Sequence, residues 1–186
     1  MKYCADDRHG ANDMADTRDV LLVDGYNMIG AWPELSALVQ SGMQEARDRL
    51  LERLADHQAY SGRRVIVVFD AYRVPGLGKT FAQSKVQIYF TREKETADEC
   101  IERLVRELSS KRRSIYVATS DQVEQHVAFG QGALRVSARE LLIEIEESER
   151  EVQKRIQQDS AKLSRNSLDA KLSPELRKLF ERWRRE

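Results

Sequence analysis

Cysteine and histidine are scarce in this 186-residue sequence, and neither forms a recognisable ligand pattern. Two cysteines, Cys4 and Cys100, are too few for a disulfide framework or a cysteine-based zinc site. The three histidines, His9, His57 and His126, show no metal-ligand spacing such as H-E-x-x-H. These absences exclude the disulfide-rich secreted class and favour a reducing, cytoplasmic setting.

Long apolar runs and a net charge are also missing. No apolar stretch approaches the ~18 residues of a membrane span, and no signal-peptide segment is visible, so we expect no membrane partner. Lys plus Arg and Asp plus Glu both total 31, so overall charge indicates no class of partner. From Lys154 to Glu186, however, ten basic residues outnumber five acidic ones. Such a tail can contact phosphates, although on a helix it is more often a solvated face.

Strand-like and helix-like segments alternate along most of the chain, a pattern typical of βαβ units around a parallel sheet. Four strands are predicted at VLLV, RRVIVVFDA, KVQIYF and SIYVATS, and FGQGALRVS contains a shorter candidate for a fifth. Thr96 and Glu99 form a predicted capping box before one helix, and Ser137 is predicted to cap a long later one. We divide the chain into a flexible extension (1–18), an α/β domain (19–150) and a basic helical tail (151–186).

Each predicted strand leads to an acidic residue. Asp24 ends the first strand and is followed by glycine, so a turn would explain it by itself. The carboxyl ends of parallel strands lie along one edge of a sheet, and ligands bind there where the strand order reverses. We therefore expect one crevice to hold the acids that follow the four strands, with two polar neighbours: Asp24, Asp70, Asp98 and Asp121, with Asn27 and Glu99 close by.

Each of these acids also has a structural explanation as a turn or helix-capping residue. Several carboxylates in one crevice repel one another, however, unless a cation compensates their charge. Oxygen ligands without nearby histidine or cysteine select a hard ion such as Mg²⁺ or Mn²⁺. The acids together therefore predict a metal site of the kind used in phosphate-ester chemistry.

The segment VPGLGKTF is similar to a phosphate-binding loop, but two features contradict that interpretation. The motif would place Arg73 where its first glycine belongs, and the chain then enters a strand instead of a helix. We therefore expect no nucleotide cofactor. Two interpretations of the loop remain: an ordinary solvated loop, or a segment beside the crevice whose Arg73, Lys79 and Lys85 contact RNA phosphates.

Five segments resemble, in order, the YacP-like NYN-domain proteins of bacteria, which are PIN-like nucleases: LLVDGYNMIGAWPEL, RVIVVFDA, ETADECIERL, VATSD and FGQGALRVSARELL. The resemblance implies a PIN-like three-layer α/β/α sandwich with a central parallel sheet of four or five strands and a C-terminal helical extension. It also implies Mg²⁺- or Mn²⁺-dependent endonucleolytic cleavage of RNA. The implied partners are mRNA and the translating ribosome.

The resemblance assigns a role to each candidate site residue. It implies that Asp24, Asp98 and Asp121 hold one or two metal ions and that Asn27 orients a ligand or the scissile phosphate. Asp70 and Glu99 would be outer or second-metal groups. Further candidates are Arg135 and Arg139 for contacts with the RNA backbone, although Arg139 could equally be a helix-surface residue. Trp32 could either stack on a base or a partner, or pack in the core.

Two other functions compete with cleavage of RNA. A non-catalytic protein of the same fold could bind RNA or the ribosome, although the intact set of acids argues against it. A phosphatase or phosphotransfer domain would use a strand-end aspartate as nucleophile, but the D-x-D signature of such a site is absent.

Overall fold

The computed structural model describes residues 16–70, 86–91, 95–109, 113–120 and 132–165, with side chains to residue 160. The chain forms two compact units, Met1–Ser148 and Glu149–Glu186. Most of the predicted N-terminal extension and the end of the predicted basic tail lie outside the described residues. Within the described ranges, no helix is long and apolar enough to cross a membrane.

Strands and helices alternate in the first unit, as the sequence pattern predicts. In chain order the elements are β1 (Val20–Asp24), α1 (Gly25–Ala31), α2 (Pro33–Leu38), α3 (Met43–Ser61), β2 (Arg64–Phe69), β3 (Gln87–Phe90), α4 (Ala97–Leu108), β4 (Ile115–Ala118), β5 (Leu134–Val136) and α5 (Ala138–Arg165). All pairings between neighbouring strands are parallel. The strands form one sheet in the order β3-β2-β1-β4-β5, so the predicted α/β fold with a central parallel sheet is confirmed.

The central strand β1 is buried on both faces of the sheet, and its alternate side chains enter two different hydrophobic cores. Leu21 and Val23 pack in a core with residues of α1, α3 and α5. Val20 and Leu22 pack in a second core with residues of α4, including Cys100. Helices therefore cover both faces of the sheet, which gives the three layers of the predicted sandwich.

The order of the strands reverses beside β1. The chain runs outward from β1 through β2 to β3, and later continues on the other side of β1 with β4 and β5. We call the gap between the carboxyl ends of β1 and β4 the switch point. In open parallel sheets, the crevice at such a point is where ligands bind.

Local signals in the sequence fix several ends of helices. Thr96 and Glu99 form the predicted capping box at the start of α4. Ser137 caps α5 as predicted, since its side chain accepts a hydrogen bond from the backbone N–H of Glu140 at 3.2 Å. At the end of α3, Gly62 adopts the left-handed conformation (φ 72°) that favours glycine.

Trp32 has a packing role in this structure. Its side chain is 1% exposed, and its Nε1 donates a hydrogen bond to the backbone oxygen of Ala138 at 2.9 Å. The contact joins the segment between α1 and α2 to the start of α5. Of the two predicted roles, packing is therefore the one that the structure supports.

In the second unit, the described residues continue α5. Lys154 pairs with Glu151 at 2.9 Å, and the apolar side chains of Val152 and Ile156 are exposed. Apolar residues recur at helical spacing along this part of the sequence, which predicts that Val152 and Ile156 belong to one apolar stripe of the helix. The helix is confirmed, but within this unit the two side chains face solvent.

Candidate active site

Polar residues follow the apolar parts of four neighbouring strands on the face covered by α4. Side chains alternate along a strand, so Asp24 lies on the same face as Val20 and Leu22. The same alternation places three residues directly beyond β2, β3 and β4 on this face: Asp70, Thr91 and Thr119. Thr91 and Thr119 are buried, and their backbone N–H groups extend the ladders of the sheet. The carboxyl end of the sheet thus has a polar rim on one face.

Asp24 is the buried member of this rim, with 7% of its surface exposed. One oxygen of its carboxylate accepts a hydrogen bond from the backbone N–H of Asn27 at 3.0 Å and so caps α1. Burial raises the pKa of the Asp24 carboxyl, and the negative charges of Asp98 and Asp70 raise it further, against the lowering effect of backbone hydrogen bonds. The charges of two predicted acids therefore act on a third, Asp24. Asp24 also serves as the turn residue that the Asp-Gly dipeptide suggested.

The two acids that open α4 have different surroundings. Asp98 is half-buried, and it is the one whose charge acts on Asp24. Glu99 is exposed, and its carboxylate accepts a hydrogen bond from the backbone N–H of Thr96 at 3.1 Å within the capping box. Glu99 thus has a structural role in addition to the one that the resemblance implied.

Asp70 has a neighbour that the sequence did not reveal as a partner. The hydroxyl of Thr91 lies 3.4 Å from an oxygen of the Asp70 carboxylate, and the backbone N–H of Thr91 donates to the oxygen of Phe69 at 3.0 Å. Thr91 therefore connects the ends of β2 and β3. Its signal in the sequence is weak, because a threonine after a strand is also an ordinary turn residue.

Asn27 spans the switch point. Its side-chain oxygen accepts a hydrogen bond from the backbone N–H of Ser120 at 2.8 Å, although 93 residues separate the two positions. The bond joins the first turn of α1 to the segment that follows β4. Ser120 is a functional candidate that the sequence reasoning missed, because only the order of the strands brings it to Asn27.

The opposite face of the same sheet end is aromatic. The ring of Phe69 makes an edge contact with Tyr26 at a centroid distance of 5.1 Å and stacks with Phe90 at 6.1 Å. A Cβ atom on Gly25 would overlap the Phe69 ring, so the glycine permits the close approach of α1 to β2. Arg47 donates a hydrogen bond to the hydroxyl of Tyr26 at 3.0 Å. This packing supports the turn that carries Asp24.

The remaining predicted residues are either exposed or outside the described ranges. Arg135 in β5 and Arg139 in the first turn of α5 are both exposed. Four predicted site residues lie outside the described residues: Arg73, Lys79, Lys85 and Asp121. Within the described part of the chain, no three His, Cys, Asp or Glu side chains form a group that could hold a metal ion. A metal site that includes Asp121 therefore stays a prediction.

Comparisons with known proteins agree on one family. The sequence model of the YacP-like NYN domain matches residues 21–185. The YacP protein of Bacillus subtilis strain 168 is 51% identical over 167 residues, which cover 90% of this chain and 97% of that protein.

Solved structures show the same similarity. A crystal structure of Rae1 (YacP) from Bacillus subtilis matches with a TM-score of 0.72 at 50% identity, over 90% of this chain and 95% of that one. A crystal structure of a mutant of Rae1 matches with a TM-score of 0.69 at 51% identity, over 76% of this chain and 83% of that one.

Proposed function

The chain belongs to the YacP-like NYN domain family, and on this basis we propose that it is a metal-dependent endoribonuclease that cleaves mRNA in association with the translating ribosome. Membership of the family supports a nuclease-type, RNA-related function at the coarser level. The metal, the type of cleavage and the ribosome are the finer parts of the proposal.

The burial of Asp24 near two other acids is the observation that supports the proposal. A carboxylate that is 7% exposed and has two further acids acting on it is costly to keep charged in the absence of a cation. An ordinary turn aspartate would be exposed or paired with a base. The donors are oxygen atoms, and neither histidine nor cysteine belongs to the described rim, which fits Mg²⁺ or Mn²⁺.

The donors of this ion would be Asp24 and Asp98, together with Asp121 from the segment after β4. When bound, the ion would supply an acidic water as nucleophile and neutralise charge on the phosphate. Asp24 is held for this role by its bond to the Asn27 backbone. Asp70, proposed as an outer or second-metal group, is held by its contact with Thr91. Preorganised donors of this kind lose little order when the substrate arrives.

Contacts with the RNA are proposed for the exposed Arg135 and Arg139 and for the three loop residues Arg73, Lys79 and Lys85. Basic side chains that contact phosphates supply affinity that depends on salt and carries no sequence information. Recognition of the ribosome rests on the resemblance to the family.

The direct test compares two variants of α4 in cleavage of a translated mRNA with Mg²⁺. Asp98→Asn removes the charge that acts on Asp24, and we expect it to slow cleavage at least ~100-fold, which corresponds to about 2.7 kcal/mol. Glu102→Gln, one turn further along the same helix and paired with Arg106 at 4.0 Å, is the matched control and should cleave like the wild type.

Equal cleavage by the wild type and Asp98→Asn would contradict the assignment of the site. If the wild type binds ribosomes and RNA but cleaves no translated mRNA, the non-catalytic binding function replaces the nuclease. In cells, mapping of mRNA 5′ ends with and without the protein should show ends that depend on it and disappear with Asp98→Asn.

A further inference from the structure

Arg47 in α3 is a buried arginine, with 2% of its surface exposed. Its guanidinium donates hydrogen bonds to the hydroxyl of Tyr26 at 3.0 Å and to the side-chain oxygen of Gln44 at 2.6 Å. Taking a guanidinium out of water is costly, and an apolar residue of similar volume often stabilises a core at least as well. Stability alone therefore does not explain an arginine at this position.

The two hydrogen bonds of Arg47 have different reach. Gln44 lies one turn earlier in α3, and its own amide nitrogen donates to the carboxylate of Asp48 at 3.0 Å, so this bond stays within the helix. The bond to Tyr26 spans 21 residues and joins α3 to the first turn of α1. Arg47 is therefore held by its own helix and in turn holds a residue of another helix.

Tyr26 connects this contact to Asp24. Its side chain is held in two places, because its ring makes an edge contact with Phe69 at 5.1 Å and its hydroxyl accepts the hydrogen bond of Arg47. The backbone N–H groups of Tyr26 and Asn27 both donate to the Asp24 carboxylate. A shift of the Tyr26 side chain would move its backbone, and with it the donors that hold the carboxylate.

We propose that Arg47 is a positioning residue of the active site, which acts through Tyr26 to hold the Asp24 carboxylate in place for the metal ion. The inference rests on the proposed function and deepens it, because it adds a residue from outside the acidic rim. Asp24 lies on the face of the sheet covered by α4, whereas Tyr26 packs against the core on the opposite face. Arg47 therefore acts through the backbone of α1 and not by contact with the ion.

Two substitutions remove the connecting hydrogen bond from its two sides. Tyr26→Phe removes the hydroxyl and keeps the ring, and Arg47→Met removes the guanidinium while filling much of its volume. Arg53→Met is the matched control. Arg53 is a second buried arginine of α3, with 5% of its surface exposed, and it pairs with Glu34 in α2 at 3.1 Å.

The holding of Asp24 is measured, without metal or RNA, by hydrogen exchange of the Asn27 amide, which donates to the Asp24 carboxylate. We expect Tyr26→Phe and Arg47→Met each to raise the exchange rate of this amide about fivefold, which corresponds to about 1 kcal/mol. If Arg47→Met fails to fold, Tyr26→Phe still decides. Unchanged exchange of the Asn27 amide in Tyr26→Phe would overturn the inference.

Two controls separate this local effect from a general loss of stability. The amide of Trp32, which donates to the backbone oxygen of Met28 at 3.0 Å at the other end of α1, should keep its exchange rate in Tyr26→Phe. Arg53→Met should leave the exchange of the Asn27 amide unchanged. An equal rise at Trp32 and Asn27 would overturn the inference, because it would show that the whole helix has been loosened.

Cleavage measures the consequence for the reaction. We expect Tyr26→Phe and Arg47→Met each to lower kcat about fivefold with little change in KM, because no contact with the RNA is removed. The double variant should be no slower than the slower single variant, since both remove the same bond. Arg47→Lys can still donate to the hydroxyl and should recover part of the rate. Additive losses in the double variant, or the same loss of kcat in Arg53→Met, would overturn the inference.

The two proposals can fail separately. If the wild type cleaves no RNA, the proposed function is wrong, and the exchange of the Asn27 amide still decides whether Arg47 holds Asp24. If the wild type cleaves RNA and both Tyr26→Phe and Arg47→Met cleave at its rate, the proposed function stands and the positioning role of Arg47 is wrong.

Discussion

On the face covered by α4, the carboxyl end of the sheet gathers acidic groups, whereas the amino end pairs charges of opposite sign. At the carboxyl end, Asp24 is buried and the charges of Asp98 and Asp70 oppose its ionisation. At the amino end, Arg63 pairs with Glu144 at 2.8 Å beside the buried side chain of His57. The two ends belong to one sheet, so the contrast arises from the residues placed there and not from the architecture.

Apart from the buried ring of His57, whose nitrogens have no hydrogen-bond partner in the described part of the chain, the amino end follows the usual requirements of a stable fold. The Asp19 carboxylate accepts a hydrogen bond from the backbone N–H of Ser114 at 2.8 Å, and the guanidinium of Arg63 lies 4.6 Å from the ring centroid of Tyr116. The carboxyl end departs from these requirements, since like charges gathered in a buried place reduce stability. Departures of this kind are expected at functional sites, which makes the carboxyl end the candidate site on physical grounds alone.

The contributions of the two ends to the stability of the fold should also depend on pH in opposite directions. Burial lowers the pKa of His57, so between that lowered pKa and about 6.5 the unfolded chain binds more protons, and stability falls as the pH falls. Burial raises the pKa of Asp24, so between 3.8 and that raised pKa the folded chain binds more protons, and stability falls as the pH rises. The contribution of His57 is therefore present above about pH 6.5, and the penalty of Asp24 is complete above its raised pKa.

The largest effect is expected from a pair of substitutions at the two ends of β1. Asp24→Asn should slow cleavage about 1000-fold, equivalent to about 4 kcal/mol, because it removes a proposed metal donor. An asparagine at this position would still cap α1, and it would remove the repulsion from the charges of Asp98 and Asp70. The free energy of unfolding at pH 7 without metal should therefore not fall. Asp19→Asn, which keeps the acceptor for Ser114, should change neither property. A similar loss of cleavage in both variants, measured by single-turnover kinetics, would contradict the contrast between the ends.

The second largest effect is expected from a change in the packing of α1 against β2, behind Asp24. Gly25→Ala forces a Cβ atom into the Phe69 ring and should reduce the free energy of unfolding by about 1–3 kcal/mol. Gly30→Ala in the same helix meets nothing within 4 Å and should increase it by up to about 1 kcal/mol. Denaturant unfolding of both variants provides the measurement, and equal midpoints would show that α1 can move away from β2.

The smallest effect is expected at the amino end. Both ring nitrogens of His57 are buried without a hydrogen-bond partner in the described part of the chain. His57→Leu should therefore increase the free energy of unfolding by about 1 kcal/mol and flatten its decrease below pH 6.5. The measurement is unfolding at a series of pH values. An unchanged pH profile would show that His57 is solvated in solution. His57→Leu should cleave RNA at the rate of the wild type.

The strand ends were the part of the site that the sequence predicted best. The runs before Asp24 and Asp70 are apolar enough to be buried strands, and the capping box at Thr96 identifies the start of the helix that carries Asp98. Thr91 and Ser120 were missed, because short polar residues after strands are equally typical of turns. Their roles depend on which strands are neighbours, and local patterns do not contain that information.

Local periodicity was thus sufficient to predict the parallel sheet and the acids that follow its strands, since burial and capping depend on residues close in sequence. The order β3-β2-β1-β4-β5 was not predictable in this way, because contacts between distant segments depend on how whole cores pack. That order places β4 beside β1 and so brings Ser120 to the side chain of Asn27. The acids are a property of the sequence, whereas the switch point that turns them into a candidate site exists only in the folded chain.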